Sequence, residues 1–249
     1  MPEFAIYPSL KGRTVFISGG GSGIGASLVE HFASQGSKVA FVDIDEKAST
    51  GVVKKTGATF FKCDIRDLKA YQATIRQAAA QLGTITVLVN NAARDDRHEL
   101  GDVTEEFWNE RIAVNLRHAY FAIQAVAPGM KAAGGGSIVN FSSVSYHTMT
   151  AQLSVYEAAK AAVIGMSRGL ARDLGPDKIR LNSITPGWIM TQRQIDLWLT
   201  PEAEADLMKA QVLKDKVYPP DIARMALFLA ADDSRLISAQ NFVVDGGRM

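Results

Sequence analysis

Short apolar runs and longer stretches of helical periodicity alternate along the whole chain. The first run, Thr14–Ser18 (TVFIS), is uninterrupted and rich in β-branched residues, as expected of a strand covered on both faces. Similar runs return at Lys38–Asp43, 59–63, 87–90, 137–141, 180–184 and Asn241–Val244. Between them the apolar spacing predicts helices over 24–35, Glu46–Thr56 and 67–82, then a long helical region from 104 to about 131. A further helix carries Tyr156 and Lys160 and ends near 174, and another covers 221–231. Asp67 is placed to cap its helix, while Gly36, Gly83 and Gly175-Pro176 stop theirs. Residues 1–12 read as a polar lead-in, and 188–218 as a mixed segment with no clear strand. Strands alternating with helices of this length imply βαβ units with right-handed crossovers. The expected fold class is α/β: a single-domain, Rossmann-like, doubly wound parallel sheet of about seven strands flanked by helices.

The chain has 249 residues, with no composition break and no internal repeat, so 1–249 is read as one domain. A net charge of +1 gives no electrostatic reason to expect nucleic acid or an anionic membrane as a partner. No run of about 18 apolar residues is present, and the beginning lacks a basic-then-apolar leader pattern. The single cysteine, Cys63, closes an apolar run and fits a buried thiol in a reducing, cytoplasmic setting. The four histidines, His31, His98, His118 and His147, lack metal-ligand spacing, so no metal site is expected.

Two stretches add chemistry to this frame. The first strand runs into Gly19-Gly20-Gly21-Ser22-Gly23-Ile24-Gly25 and then into a helix. Glycines there let a pyrophosphate approach backbone N–H groups, and the helix start adds donors and partial positive charge. The next strand ends on Asp43, whose carboxylate can accept from ribose hydroxyls and would repel a 2′-phosphate. Ser22 and Ile44 bring no cation to offset that repulsion, so the cofactor expected is NAD rather than NADP. The second stretch is 143–160. Tyr156 and Lys160 are four apart and stack on one helix face, with side-chain roots roughly 5–6 Å apart. Ser143 falls where the strand 137–141 gives way to a loop. An ammonium beside a phenol lowers a pKa that starts near 10, and such a phenol can take a hydroxyl proton. On its own, Tyr-x-x-x-Lys is equally the spacing of a packed tyrosine and a solvated lysine.

Taken together, these motifs resemble the short-chain dehydrogenase/reductase family over about residues 12–247. The chain carries Ser18-Gly19-Gly20-Gly21-Ser22-Gly23-Ile24-Gly25 where that family usually has Thr-Gly-x-x-x-Gly-x-Gly, and Asn90-Asn91-Ala92-Ala93 for Asn-Asn-Ala-Gly. Asn115, Ser143, Tyr156, Lys160 and Pro186-Gly187 with Thr191 complete the set. Ala93 is a departure that would cost roughly 1 kcal/mol if its backbone had to take positive φ. The resemblance implies that Tyr156 is the general base of alcohol oxidation and that Lys160 tunes it and holds the nicotinamide ribose. It implies that Ser143 hydrogen-bonds the reacting oxygen and that Asn115 anchors a water in a proton relay. It places Gly19, Ser22, Gly23, Ile24, Asp43, Asp64, Ile65, Asn91, Ala92, Pro186, Gly187, Ile189 and Thr191 against the dinucleotide, Asp64 and Ile65 meeting the adenine. Homotetramers are the family's common assembly, with the Tyr156 helix pairing across one axis; Ala158, Ala159, Ala161, Ala162 and Gly165 make it smooth enough.

Substrate contacts are expected from loops 94–100, 144–153 and 188–211, at the carboxyl ends of the strands. The first of these reads RDDRHEL, and the set is too polar for a steroid or fatty chain. Arg94, Ser145, His147, Gln152, Trp188 and Arg193 are the candidate substrate residues, suited to a small, polar, hydroxylated molecule. The chain is similar in particular to bacterial NAD-dependent sugar dehydrogenases of the family, which implies oxidation of an aldose at C1. The alternative is a secondary hydroxyl on a sugar-derived acid, such as a 2-keto-3-deoxy sugar acid, whose carboxylate would seek Arg94 or Arg193.

Overall fold

The apolar runs become seven strands: β1 (Thr14–Ser18), β2 (Lys38–Asp43), β3 (Thr59–Lys62), β4 (Ile85–Asn90), β5 (Gly136–Phe141), β6 (Ile179–Pro186) and β7 (Asn241–Val244). They are taken from a computed structural model, which describes residues 4–249. All neighbours pair in parallel, in the order β3-β2-β1-β4-β5-β6-β7. The helices are α1 (Gly23–Ser34), α2 (Glu46–Thr56), α3 (Leu68–Leu82), α4 (Glu105–Ile112), α5 (His118–Ala132), α6 (Ser145–Thr148), α7 (Ser154–Leu174), α8 (Gln192–Trp198), α9 (Pro201–Ala210) and α10 (Pro219–Ala230).

Successive strand residues point to opposite faces, and each face carries its own core. Val15, Ile17, Val39, Phe41, Val87, Val89 and Val139 meet Leu28, Val29 and Phe32 of α1 and Ile222, Ala226 and Leu229 of α10. Phe16, Ala40, Val42, Leu88 and Ile138 meet Tyr71 and Ile75 of α3 and Ala122, Ile123, Val126 and Met130 of α5. Because both faces are covered, the strands lack the apolar–polar alternation of a half-exposed sheet. The chain is therefore a single α/β domain with a seven-stranded parallel sheet.

The structure departs from the sequence expectation in a few places. The lead-in is not merely polar: Pro8–Leu10 forms a 3₁₀ turn, and Leu10 is fully buried. Segment 188–218 contains α8 and α9, capped by the hydroxyls of Thr191 and Thr200. β6 runs beyond the apolar stretch 180–184, and Pro186 closes it. As the last paired residue it needs no N–H of its own: its carbonyl accepts from Val144 N at 3.1 Å, and Gly187 N continues to Val244 O at 2.9 Å. The long helical region is interrupted by a π-helical stretch, Ala113–Arg117, which carries Asn115. Ala93 is not among the non-glycine residues with positive φ, so the strain considered for it does not arise.

Candidate active site

The strand order reverses between β1 and β4, and that crevice is where doubly wound sheets bind ligands. Ser18 and Asn91 tie its two sides together. The Ser18 hydroxyl accepts from Asn91 N at 3.1 Å and Ala92 N at 3.2 Å, and Asn91 Nδ2 donates to the carbonyls of Ser18 and Gly19. Gly19 turns the chain with φ of 70°. A Cβ on Gly25 would lie 1.7 Å from the Gly19 carbonyl oxygen, so only glycine allows the helix to start this close to the strand. Ser22 holds the N-cap position of α1, leaving the first-turn N–H groups directed into the crevice. Asp43 Oδ2 accepts from Gly21 N at 2.8 Å and Oδ1 from Asp45 N at 3.0 Å, so the acid that ends β2 also braces the loop. A glycine-walled cradle at a helix start, flanked by an acid, fits a nicotinamide dinucleotide.

On the adenine side the placement is less simple. The Asp64 carboxylate is gripped by Arg66, through N–H contacts of 2.6 to 3.0 Å, which holds its pKa below the usual carboxylate range. Ile65 is 7% exposed and packs into the core, so little of its side chain is presented to a ring. The chain's own charges and core thus already engage both side chains.

The catalytic candidates converge at the carboxyl ends of β4 and β5. Ser143 lies just past β5, and Tyr156 and Lys160 lie in the first two turns of α7. Lys160 is 2% exposed; its Nζ donates to Phe141 O at 2.8 Å and lies 5.6 Å from the centre of the Tyr156 ring. Burial draws its pKa down to about 8, against the opposing pull of Asp95. Tyr156 is pushed above the ordinary phenol value by desolvation and, less strongly, by Asp95; the Ser143 hydroxyl and Arg193 act the other way. The Lys160 ammonium donates to a backbone carbonyl, with the Tyr156 ring beside it. Beneath the site, Asn90 Nδ2 donates to Asn140 Oδ1 at 2.8 Å and Asn140 Nδ2 to Ser167 Oγ at 2.9 Å, stitching β4, β5 and α7 in the dry interior. Asn115 is 1% exposed; its Oδ1 accepts from Arg94 N at 2.9 Å and its Nδ2 donates to Arg94 O at 3.1 Å. Its side chain thus holds the start of the loop after β4.

With this geometry in place, comparison with known proteins is decisive. A family model described as enoyl-(acyl carrier protein) reductase matches residues 19–248. The chain is 48% identical over 248 residues to D-xylose 1-dehydrogenase of Caulobacter vibrioides, covering 98% of each. It is 49% identical over 247 residues to a probable galactose dehydrogenase of Rhizobium meliloti, covering 97% of this chain and 96% of the other. The chain belongs to the short-chain dehydrogenase/reductase family. Among solved structures, a putative short-chain alcohol dehydrogenase from Sinorhizobium meliloti superposes with a TM-score of 0.91 at 29% identity, covering 97% of this chain and 98% of that one. A blue fluorescent protein from a metagenomic library, in complex with NADPH, superposes at 0.89 with 34% identity, covering 96% and 99%. The protein is an oxidoreductase that acts on CH–OH donors with a nicotinamide cofactor.

In this dehydrogenase a cavity of about 470 Å³ opens beside Tyr156, Lys160 and Ser143. Ile24, Asn91, Pro186, Gly187, Ile189 and Thr191 also border it. Of the six candidate substrate residues, Ser145 and Trp188 line the cavity. Arg94, His147, Gln152 and Arg193 do not. Arg94 pairs with Asp96 at 3.1 Å, Arg193 pairs with Asp95, and Gln152 donates to Glu99. His147 is exposed and rests against Tyr146, the ring centres 4.0 Å apart. Long polar side chains at a pocket rim found partners in neighbouring loops, which spacing along the chain does not reveal. The wall instead includes Asp95, Arg97, Thr148, Thr150, Gln194, Trp198 and Arg248. Asp95 carried a usable signal, its place just past the Asn90-Asn91-Ala92-Ala93 motif. Arg248 carried none, since only the return of the chain after β7 brings it here.

Proposed function

We propose that the protein is an NAD-dependent aldose 1-dehydrogenase. The observation that carries this reading is the polar cavity over Tyr156, in a chain nearly half identical along its length to relatives named for D-xylose and galactose oxidation. Tyr156 Oη takes the proton of the reacting hydroxyl, and Ser143 Oγ holds that oxygen in place. Lys160 keeps positive charge in the site and offers donors to the nicotinamide ribose. Asn115 fixes the floor through Arg94 and anchors the proton path. When bound, the dinucleotide supplies the hydride acceptor. Gly19, Ser22, Gly23, Ile24, Asn91, Ala92, Pro186, Gly187, Ile189 and Thr191 hold it, with Asp64 and Ile65 on the adenine side through their backbone. Asp43 supports the choice of NAD over NADP, since no lysine or arginine stands at 22 or 44 to meet a 2′-phosphate.

The loops at 94–100, 144–153 and 188–211 form the sugar-binding wall in this reading. A homotetramer is supported by α7, which leaves Ala158, Ala161, Ala162 and Gly165 exposed; Ala159 instead faces the core. The buried, unpaired Cys63 and the use of NAD favour a cytoplasmic setting. The test is NADH formation with a panel of aldoses. Turnover of D-xylose or D-galactose with NAD is expected, and Tyr156→Phe should lower kcat by about 10²–10⁴-fold while the Kd for NAD stays put. Near-wild-type rates in that variant would overturn the mechanism.

A further inference from the structure

Resting on the sugar reading above, the choice between neutral sugars and sugar acids falls to the charges in the wall of the cavity. Two arginines stood out in the sequence as anchors for a substrate carboxylate, Arg94 and Arg193. Both are paired with the protein's own acids, Asp96 and Asp95, and neither lines the cavity. Asp95 does line it. One of its oxygens accepts from Arg193 Nη1, and the other from Gln194 Nε2 at 2.9 Å. Gln194 Oε1 in turn accepts from Trp188 Nε1 at 2.9 Å, so the carboxylate is fixed by residues arriving from beyond β6. A carboxylate has about four lone-pair sites, and two remain after these bonds. The Asp95 side chain is 24% exposed, at the mouth of the same cavity.

Asp95 acts on the Tyr156 phenol more strongly than Arg193 does, and in the opposite sense. Ser145, which also lines the cavity, is neutral, and its buried Oγ has no hydrogen-bond partner among the described residues. A sugar hydroxyl can donate to Asp95. A carboxylate cannot donate, and it would meet Asp95 as a like charge. Arg97 also borders the cavity, but its Nη1 donates to Ala151 O at 2.7 Å and its guanidinium lies 4.8 Å from the Trp198 ring centre. We propose that Asp95, held by Arg193 and Gln194, is a specificity-determining residue that accepts hydrogen bonds from the hydroxyls of a neutral sugar and turns away sugar acids.

D-Galactose and D-galacturonate test this directly, because they share ring hydroxyls and differ by one carboxylate. Wild-type kcat/KM for D-galactose should exceed that for D-galacturonate by at least about 100-fold. Asp95→Asn should lower kcat/KM for D-galactose roughly 10- to 100-fold, chiefly through KM, and narrow the galactose-to-galacturonate ratio at least about tenfold. Arg193→Leu removes the tether and keeps the charge, so it should hold or widen that ratio. The Kd for NAD, read by protein fluorescence, should be unchanged in both variants. If Asp95→Asn still oxidises D-galactose at an unchanged ratio, or Arg193→Leu narrows the ratio equally, the inference falls while the sugar reading stands. Wild-type turnover of D-galacturonate as fast as D-galactose also overturns it, and would place the carboxylate on Arg97 or Arg248. If no neutral aldose is oxidised, the sugar reading fails and takes this inference with it.

Discussion

Replacing Asp43 with asparagine tests whether its charge selects the cofactor. The carboxylate ends β2 and accepts from Gly21 N and Asp45 N, at 2.8 and 3.0 Å, so its position is set by backbone. A 2′-phosphate within about 4 Å of it would feel a repulsion of about 1 kcal/mol per unit charge in water and about 4 kcal/mol at an effective dielectric near 20. Asp43 is only partly covered by protein, so a value of about 2–3 kcal/mol between these limits is appropriate, roughly 30- to 150-fold in binding. Ribose hydroxyls donating to the carboxylate add discrimination in the same direction. The wild-type protein should therefore favour NAD over NADP by about 100-fold or more in kcat/KM. Asparagine keeps the shape and removes the charge, but it can accept only through Oδ1. One of the two backbone N–H groups then loses its partner, at about 1–2 kcal/mol of stability. The assay is initial-rate kinetics with both cofactors, alongside thermal melts of both proteins. Asp43→Asn should narrow the preference at least about tenfold, with only a small fall in Tm. A wild-type protein that uses NADP as well as NAD, or a variant whose preference is unmoved, would refute the electrostatic argument.

Three more expectations follow from the same structure. His118 is 2% exposed, and burial first, then Lys160, brings its pKa down from 6.5 to about 3. The unfolded chain then binds a proton that the folded one does not between those values, so stability falls as pH drops through that window, by about 2 kcal/mol from pH 7 to pH 5. Denaturant titrations at both pH values should show this loss diminished in His118→Leu; an equal loss in both proteins defeats it. Gly25→Ala places a Cβ 1.7 Å from the Gly19 carbonyl oxygen, so calorimetry should find NAD binding weakened at least about tenfold, and intact affinity would show that the loop yields. Asn115→Ala leaves Arg94 N and O without their partner, which should cost about 2–4 kcal/mol in denaturant titrations and lower kcat; a loss under about 0.5 kcal/mol would remove the side chain's structural role.

The sequence by itself determined the parts of this protein that depend on neighbours along the chain. Strands buried on both faces show as apolar runs, helices as a repeat near 3.6, and the turn between β1 and α1 as a glycine-rich string. Asp67 caps α3 and Gly83 ends it, as their positions foretold. Tyr156 and Lys160 share a helix face because four residues make little more than one turn. Tertiary structure decided what depends on meetings between distant segments. Lys160 reaches Phe141 O because β5 lies against α7, and burial dominates the phenol's environment, with Ser143, Asp95 and Arg193 arriving from three separate segments. Arg94, Gln152 and Arg193 are drawn to Asp96, Glu99 and Asp95, and the cavity wall passes to other residues. Those partners are chosen through space: a charge at a pocket rim pairs with the nearest opposite charge, and chain distance carries no information about which that is.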